Sequence, residues 1–408
     1  MEANLDARCC IAGCGPAGAI LGLLLARAGV EALVLEKHGD FLRDFRGDTI
    51  HPSTLEILDE LGLAERFLEL PHSRVATFSL RTTAGEAVTI DLRGLRTRFP
   101  FIAFVPQWDF LDFVTQEARR YPGFRLVMNA EVTGLIQEAG VVRGVRYRTS
   151  AGEREARALL TVGADGRSSV TREAAGLPQV SMSPPMDVLW FRLSRRPGDP
   201  DNADAVVGPG HFIVLFPRGE YWQIAYTIPK GRADQIHAAG LDAFRRSVAS
   251  LVPAQSDRVA ELQTWDQVKL LTVRADRLTR WSTNGYLAIG DAAHAMSPVA
   301  GVGINVAIQD ATAAANALWK PLRSGQVSTR DLAGVQRQRE LSVRVIQGMQ
   351  SFIQRQLIEV SMTSTDAPAL PAGLRILLRT PGIRGLVPRL IAFGIRRPHV
   401  LSPAAPAG

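Results

Sequence analysis

A glycine-rich turn joins a short apolar strand to an apolar helix near the start of the chain. The strand is predicted at 9–12, the turn is Gly13-Cys14-Gly15-Pro16-Ala17-Gly18, and the helix is predicted at 19–28. A second strand at 32–35 ends at Glu36, 18 positions after Gly18. Glycines at this spacing let the backbone approach a pyrophosphate, and the acid that follows can bind ribose hydroxyls. The sequence therefore predicts a dinucleotide-binding unit.

A second glycine-rich turn follows another apolar strand late in the chain. The strand at 286–289 ends in Gly290-Asp291, and the turn Gly301-Val302-Gly303 is predicted to open a helix that continues to residue 316. A helix N-terminus presents N–H groups and partial positive charge, whereas an ionised aspartate only accepts hydrogen bonds. A flavin matches both, because its ribityl chain carries hydroxyls and its reduced ring carries negative charge. We therefore expect a flavin near Asp291.

A third buried strand, predicted at 159–162, ends in Ala164-Asp165-Gly166. Its carboxylate and glycine repeat the pattern at Gly290-Asp291. We expect the two strand ends to converge on one ligand.

Charge and cysteine content narrow the class of protein. The net charge of +7 comes almost entirely from arginine, and no basic block contains interleaved aromatic residues, so nucleic-acid binding is not predicted. The three cysteines, Cys9, Cys10 and Cys14, lie in the first strand and turn, which argues for free thiols in a reducing compartment. No secretory signal or metal-ligand cluster is visible, and we expect a cytoplasmic protein.

The order of elements predicts an α/β fold with two interleaved domains. Between about 181 and 271, short strands rich in aromatic and β-branched residues are predicted at 186–193, 211–216, 221–228 and 263–271, and they indicate an antiparallel sheet inserted into the nucleotide-binding domain. A long helix is expected near 331–359, and the arginine-bearing apolar tail at 373–400 could be an amphipathic helix that caps the substrate site or contacts a membrane surface. We assign 1–70, 101–180 and 275–325 to the FAD-binding domain, 71–100 and 181–274 to the substrate domain, and 326–408 to a C-terminal helical region.

Several polar or aromatic residues outside the glycine turns are candidates. Arg46 follows the first unit and could reach a phosphate, and Gln107 begins a predicted helix where it could bind a polyol. His51 is more typical of a turn than of a catalytic base, and Ser53 is a plausible N-cap for a helix at 53–61. Six aromatic residues could line either a core or an apolar pocket, with the core favoured for each: Trp190, Phe212, Phe216, Trp222, Tyr226 and Trp265.

Three motifs, in this order along the chain, resemble the fingerprints of single-component FAD-dependent aromatic hydroxylases, the class A flavoprotein monooxygenases related to para-hydroxybenzoate hydroxylase. They are the first glycine turn with Glu36, the Asp165-Gly166 motif, and Gly290-Asp291 with Pro298-x-x-Gly301-x-Gly303-x-Asn305. The resemblance covers about residues 8–320 and implies a Rossmann-like, glutathione-reductase-type FAD domain with an inserted, mostly antiparallel substrate domain and a helical C-terminus.

The resemblance also implies site roles. Asp291 would hold ribityl or pyrophosphate oxygens, Val132 would meet the adenine through its backbone, and Asp165-Gly166 would serve both FAD and the nicotinamide nucleotide. Pro298 would shape the site beside the flavin ring. The full cofactor-binding set is Gly13, Gly15, Pro16, Ala17, Gly18, Glu36, Lys37, Arg46, Gln107, Val132, Asp165, Gly166, Gly290, Asp291, Pro298, Gly301, Gly303, Ile304 and Asn305.

The reaction implied by the resemblance needs few side-chain catalysts. NAD(P)H, bound transiently, would reduce FAD, and O₂ would be transferred through a flavin C4a-hydroperoxide to an aromatic, polyketide or isoprenoid small molecule. If a base deprotonates the substrate, the candidates are His51, His211 and Tyr226.

Three alternatives share the nucleotide motifs. A flavin-dependent halogenase is disfavoured, because the Trp-x-Trp-x-Ile-Pro element has no counterpart at 221–229 and residues 38–229 contain no lysine. The runner-up is an FAD-dependent isoprenoid-lipid reductase, which the apolar tail would suit. A non-enzymatic protein that binds a lipidated partner would be expected to have eroded flavin motifs.

Overall fold

The computed structural model describes residues 5–42, 49–182, 184–356, 369–370, 372–380 and 385–404. The strands in these ranges are β1 Leu5–Ala12, β2 Ala32–Leu35, β3 Thr49–Ile50, β4 Ser73–Val75, β5 Thr77–Thr82, β6 Ala87–Asp91, β7 Ile102–Phe104, β8 Phe124–Val127, β9 Glu131–Glu138, β10 Val141–Thr149, β11 Gly152–Gly163, β12 Gln179–Met182, β13 Met186–Ser194, β14 Ala203–Gly208, β15 His211–Arg218, β16 Tyr221–Pro229, β17 Lys269–Leu271, β18 Ala275–Leu278, β19 Ser282–Thr283 and β20 Tyr286–Ala288.

The helices include two long ones after the last strand. They are α1 Pro16–Arg27, α2 Pro52–Glu60, α3 Ala64–Phe67, α4 Gln107–Ala118, α5 Val170–Ala174, α6 Ala233–Ala239, α7 Leu241–Leu251, α8 Gly303–Ser324, α9 Thr329–Gln354, α10 Ala372–Arg379 and α11 Leu386–Phe393. Single-turn or irregular 3₁₀ segments lie at Pro253–Glu261, Trp265–Gln267, Gly290–Ala292 and Val299–Gly301.

The larger sheet places the predicted ligand turns at one edge. Its parallel strands run in the order β20-β11-β1-β2-β8, with β19 antiparallel on β20 and the hairpin β9–β10 joined to β11. Residues 9–12 of β1, together with β2 and β20, are fully buried, and α1 and α8 pack on this sheet, as apolar parallel strands require. The carboxyl ends of β1, β11 and β20 therefore lie side by side.

The second sheet has the order β17-β13-β16-β15-β14-β5-β6. All its pairs are antiparallel except β14 with β5. One face packs against α7 and the 3₁₀ segment after it. The α/β class and the mostly antiparallel second sheet are confirmed, while the residue boundaries assigned to the domains stay a prediction.

Some local predictions were wrong. Ser53 is not the N-cap of α2: the helix begins at Pro52, whose fixed φ suits the first position, and the hydroxyl of Ser53 has no hydrogen-bond partner. The expected strand at 263–271 is strand only at β17, because Trp265–Gln267 forms a 3₁₀ turn held by a capping box. Strand β14 and helix α6 were not predicted.

The C-terminal tail forms α10 and α11 rather than one amphipathic helix. In the described residues, we find no helix with the length and apolar character needed to span a bilayer. Cys9, Cys10 and Cys14 are free and buried, and burial raises the pKa of each thiol.

Candidate active site

A cavity of about 690 Å³ runs from the carboxyl edge of the larger sheet to one face of the second sheet. The cofactor half is lined by the turns after β1, β11 and β20 and by the start of α8. The other half lies between the second sheet and side chains of α9 and α11. Ligands of open α/β sheets bind at this carboxyl edge.

The first glycine turn needs its glycines for two different reasons. Gly13 has φ +94°, and a Cβ on Gly18 would lie 2.0 Å from the Gly13 carbonyl oxygen, so only glycine lets α1 pack this closely. A Cβ on Gly15, in contrast, would meet nothing within 4 Å. Gly15, Pro16 and Ala17 line the cavity at the N-terminus of α1. The turn thus presents open backbone and a positive helix end to a ligand.

Glu36 supports this turn directly. Its carboxylate accepts hydrogen bonds from the Cys14 N–H at 3.0 Å and from His38 Nδ1 at 2.7 Å. Lys37, the next residue, is exposed, and Val132 is half-buried against the main core. The described residues that line the cavity do not include Glu36, Lys37 or Val132. Their predicted contacts with the adenosine half of FAD stay a prediction.

Asp291 lies on the cavity wall in the turn after β20. Its Oδ2 accepts a hydrogen bond from Arg167 Nε at 3.2 Å, and both side chains are 30% exposed. Arg167, which also lines the cavity, was not predicted as a site residue. Its position directly after Asp165-Gly166 could have identified it, because the end of β11 lies beside the end of β20, which carries Asp291.

Behind Asp291, a fully buried ionic group holds the same turn. Asp310 accepts hydrogen bonds from the Gly290 N–H at 3.2 Å, His294 Nε2 at 2.5 Å and Arg339 Nε at 2.8 Å. Burial would raise the pKa of Asp310, but the charges and hydrogen bonds of His294 and Arg339 outweigh it and the pKa is lowered. Gly290 is not on the cavity wall. A Cβ there would come within 3.1 Å of Ala17 and 3.2 Å of Ala307, so its absence lets α1 and α8 pack closely.

The carboxylate of Asp165 is bound by neighbouring residues. Its carboxylate accepts hydrogen bonds from the hydroxyl of Ser169 at 2.5 Å and from the N–H and hydroxyl of Thr171, both at 3.0 Å. These bonds close its own loop and hold the start of α5. Asp165 is not on the cavity wall whereas Gly166 is, so the convergence of the two carboxylates on one ligand stays a prediction.

The turn before α8 presents Pro298, Gly301, Gly303 and Ile304 to the cavity. Thr49 braces it, because its hydroxyl donates to the Gly301 carbonyl at 2.6 Å. Ala300 adopts φ +64°, a left-handed conformation that a non-glycine residue rarely takes.

Asn305 is buried away from the cavity in this turn. Its Oδ1 accepts from the His51 N–H and the Thr54 hydroxyl, both at 2.8 Å, and its Nδ2 donates to the Thr49 carbonyl at 2.9 Å. The Asn305 side chain therefore joins the turn to β3 and α2 rather than to a cofactor.

None of the three candidate bases lines the cavity. His51 is fully buried, its Nδ1–H donates to the Ile391 carbonyl at 2.9 Å, and burial lowers its pKa to about 4. Tyr226 and His211 lie together on the far face of the second sheet, where the Tyr226 hydroxyl pairs with Ser247 at 2.8 Å. Burial raises the pKa of Tyr226 and lowers that of His211. The structure does not bring His51 or Tyr226 to the cavity wall, and a catalytic role for either stays a prediction.

The six aromatic residues of the second sheet divide between its two faces. Trp190, Phe212 and Phe216 pack against a hydrophobic cluster and also line the cavity, so both interpretations apply to these three. Trp222, Tyr226 and Trp265 pack in the core on the opposite face, as predicted. Side chains alternate between the faces of a strand, so neighbouring aromatic residues such as Phe212 and His211 point to opposite sides.

Gln107 lines the cavity at the start of α4, as the sequence suggested. Arg46 lies outside the described residues. The apolar wall supplied by α9 and α11 was not predicted residue by residue, since its members come from helices far along the chain: Met349, Phe352, Ile353, Leu386, Val387, Leu390 and Ile391.

Comparison with known proteins identifies the family. A family described as FAD binding domain matches residues 6–346. The chain is 31% identical over 387 residues to 6-methylpretetramide 4-monooxygenase of Streptomyces rimosus, covering 94% of this chain and 92% of that protein. The chain belongs to the family of FAD-dependent monooxygenases.

Two further relatives of this monooxygenase help to place it. The structure of p-nitrophenol 4-monooxygenase PnpA from Pseudomonas putida superposes with a TM-score of 0.77 at 19% identity, covering 97% of this chain and all of that one, which shows the shared fold. A digeranylgeranylglycerophospholipid reductase of Methanosarcina acetivorans is 26% identical, covering 81% of this chain and 79% of that protein. Three other relatives are longer, and this chain spans 61% to 66% of their lengths.

The residues of the monooxygenase fit FAD. The open space beyond the Gly15 Cα accommodates a pyrophosphate near the α1 N-terminus, and Asp291 offers a carboxylate on the same wall. The α8 N-terminus supplies positive charge beside Pro298. NAD(P)H is the electron donor typical of the family, and the relatives favour oxygenation over lipid reduction or halogenation.

Proposed function

We propose that this monooxygenase oxygenates a flat, fused-ring aromatic compound of the polyketide type. The observation that carries the proposal is the continuity of the cavity, which joins the two glycine-rich turns to the aromatic face of the second sheet without a break. A substrate in the apolar half would therefore lie next to the flavin ring. The relative named for action on 6-methylpretetramide supports the same substrate class.

The cofactor half binds and orients FAD in this proposal. The turn at Gly13, Gly15 and Gly18 approaches the pyrophosphate, Asp291 accepts hydrogen bonds from the ribityl hydroxyls, and Gln107 adds an amide on the same wall. FAD supplies the redox and oxygen chemistry when bound. The N–H groups at the start of α8, beyond Gly301 and Gly303, stabilise the negative charge of the reduced ring.

The substrate half excludes water and positions the ring to be oxygenated. Its walls are aliphatic and aromatic, and Pro298 lies where the two halves meet. Among the described residues that line the cavity there is no histidine, tyrosine, lysine or cysteine. We therefore propose that no side chain of these types deprotonates the substrate, and that the substrate itself must be electron-rich.

The apolar side chains of α11 face this cavity, so we assign the tail to the substrate wall. Contact of the tail with a membrane surface and location in the cytoplasm stay predictions.

Incorporation of labelled oxygen tests the proposal. The purified holoenzyme is supplied with NADH or NADPH, ¹⁸O₂ and a panel of fused-ring phenols and isoprenoid lipids. We expect a phenol to accelerate NAD(P)H oxidation and to gain one ¹⁸O atom. Saturation of an isoprenoid double bond under anaerobic conditions, with no oxygenation of any phenol, would identify a reductase instead.

A further inference from the structure

The cavity face of the second sheet carries few polar side chains, and most of them are already paired. Thr77 donates to Asn202 Oδ1 at 2.6 Å. The Thr227 hydroxyl donates to the Phe212 carbonyl at 2.8 Å and accepts from the Phe212 N–H at 3.2 Å. Both side chains line the cavity, yet neither needs a ligand to satisfy its hydrogen bonds. Contacts within the sheet therefore account for both hydroxyl groups.

Gln223 is the exception on this face. It lies in β16, lines the cavity and is only 8% exposed. Its side-chain amide forms no hydrogen bond to any residue in the described part of the chain. The amide atoms keep some accessible surface and therefore open onto the cavity, where an unpaired polar group in an apolar lining requires an explanation. A hydrogen-bonding ligand in the cavity would supply one.

A second unpaired donor lies close to Gln223. In the sheet, Gln223 is the direct cross-strand partner of Phe216, and Trp190 stacks on Phe216 with ring centroids 6.3 Å apart and an interplanar angle of 24°. Trp190 lines the cavity, and its buried Nε1–H has no hydrogen-bond partner. Phe104 adds a third ring, 5.4 Å from Phe216. An aromatic panel is thus combined with two unsatisfied polar groups.

We propose that Gln223, together with Trp190, recognises a ring oxygen of the substrate and determines specificity at this site. The Gln223 amide N–H groups donate and its carbonyl oxygen accepts, while Trp190, whose Nε1–H is buried, supplies a ring surface. This set matches a carbonyl or phenolic oxygen on a flat aromatic ring that packs against the panel. The inference rests on the proposed function, because it names the polar feature that the aromatic substrate must carry.

The experiment compares two probes of nearly equal shape. 1-Naphthol carries a hydroxyl where 1-methylnaphthalene carries a methyl group. Each is titrated into the holoenzyme without NAD(P)H and without O₂, and binding is followed by tryptophan fluorescence and by the flavin absorption band. The variants are Gln223→Leu, Trp190→Phe and Tyr226→Phe. The last is the matched control, because it removes a hydroxyl from the same strand on the opposite face.

We expect Gln223→Leu to weaken 1-naphthol about fivefold, the equivalent of one net hydrogen bond, while 1-methylnaphthalene binds as well as before or more tightly. Trp190→Phe should change the affinity for both probes alike, because the indole N–H is buried, and Tyr226→Phe should change neither affinity. Bound FAD per protein and the unfolding transition, measured on each variant, verify that the fold is intact.

Equal weakening of both probes in Gln223→Leu, or no change in either, would overturn the proposal. So would a wild-type protein that binds both probes equally or binds neither. Because these titrations involve no turnover, their result is separate from the labelled-oxygen experiment. If no labelled oxygen is incorporated but Gln223→Leu selectively loses 1-naphthol, the proposed reaction is rejected and the recognition of an aromatic oxygen is kept.

Discussion

The turns after β11 and β20 begin with the same pattern, a buried strand followed by an aspartate, yet the two carboxylates act differently. The carboxylate of Asp165 is bound within its own loop, where it accepts hydrogen bonds from Ser169 and Thr171. Asp291 lies on the cavity wall, where it pairs only loosely with Arg167. The turn that contains Asp291 is held from behind by Asp310.

The difference shows how a carboxylate becomes available to a ligand. A tight turn at a strand end leaves N–H groups that need acceptors, and a buried N–H without one is costly. In the first turn Asp165 is the acceptor. In the second turn Asp310, reached from α8, accepts from Gly290 and leaves Asp291 for the cavity. An aspartate at a strand end is therefore available to a ligand where another residue accepts the hydrogen bonds of its turn.

The largest effect is expected from Asp310→Ala. Removal of this carboxylate leaves Arg339 buried without its charge partner, and the free energy of unfolding should fall by about 3–5 kcal/mol. Chemical denaturation measures it. The control is Arg344→Ala on α9, the helix that carries Arg339; its exposed pair with Glu340 at 3.8 Å should be worth less than about 1 kcal/mol. Equal losses in the two variants would contradict a special role for the buried group.

The same group predicts a pH dependence. The pKa of Asp310 is lowered in the folded protein, so its stabilisation is complete above the unfolded aspartate pKa of about 3.9 and is lost as the pH falls below it. The stability difference between wild type and Asp310→Asn should therefore shrink as the pH falls below about 3.9. A difference that grows on acidification would show that the carboxylate is protonated in the native state.

Asp165→Ala should lower stability by about 2 kcal/mol, because three donors lose their acceptor. Its affinity for FAD should stay within about twofold of wild type, measured by titrating the apoprotein with FAD. A loss of FAD without a loss of stability would mean that Asp165 contacts the cofactor and that the two turns do not differ.

Asp291→Ala should give the reverse result. The affinity for FAD should fall about tenfold, as expected for a lost charge-assisted hydrogen bond, while the unfolding of the apoprotein changes by less than about 0.5 kcal/mol. Retention of full FAD affinity would remove Asp291 from the cofactor site.

Gly15→Ala and Gly18→Ala extend the comparison to the turn after β1. The Gly18 variant places a Cβ against the Gly13 carbonyl and should disturb the turn itself, whereas the Gly15 variant should fold normally and lose FAD affinity. Circular dichroism and FAD titration separate the two effects. Similar behaviour of both variants would show that the turn does not distinguish structural from ligand-facing positions.

The sequence predicted the cofactor half of the fold well, because its signals are local. The strand before Gly13, the helix after it and the strand before Asp291 are all read from neighbouring residues, and they fix where the larger sheet presents its turns. The inserted sheet was also predicted from short aromatic strands, although β14 was missed.

The substrate half could not be predicted in the same way. Whether Phe212 or His211 faces a cavity depends on the register of β15 and on what covers each side of the sheet. Neither can be read from the sequence of the strand alone. Asp165 and Asp291 were indistinguishable in sequence, because the residue that separates them, Asp310, acts from another helix. His51 looked like a candidate base only because its burial was unknown.

The apolar wall from α11 has a practical consequence. Leu390 and Ile391 touch the cavity, although more than 80 residues separate them from Gly303 at the start of α8. Exchange of α11 alone should therefore change which aromatic compounds the enzyme accepts, while the glycine-rich turns of the FAD-binding domain stay unchanged. Chimaeras that exchange α11 between homologous monooxygenases offer a way to alter which products are formed.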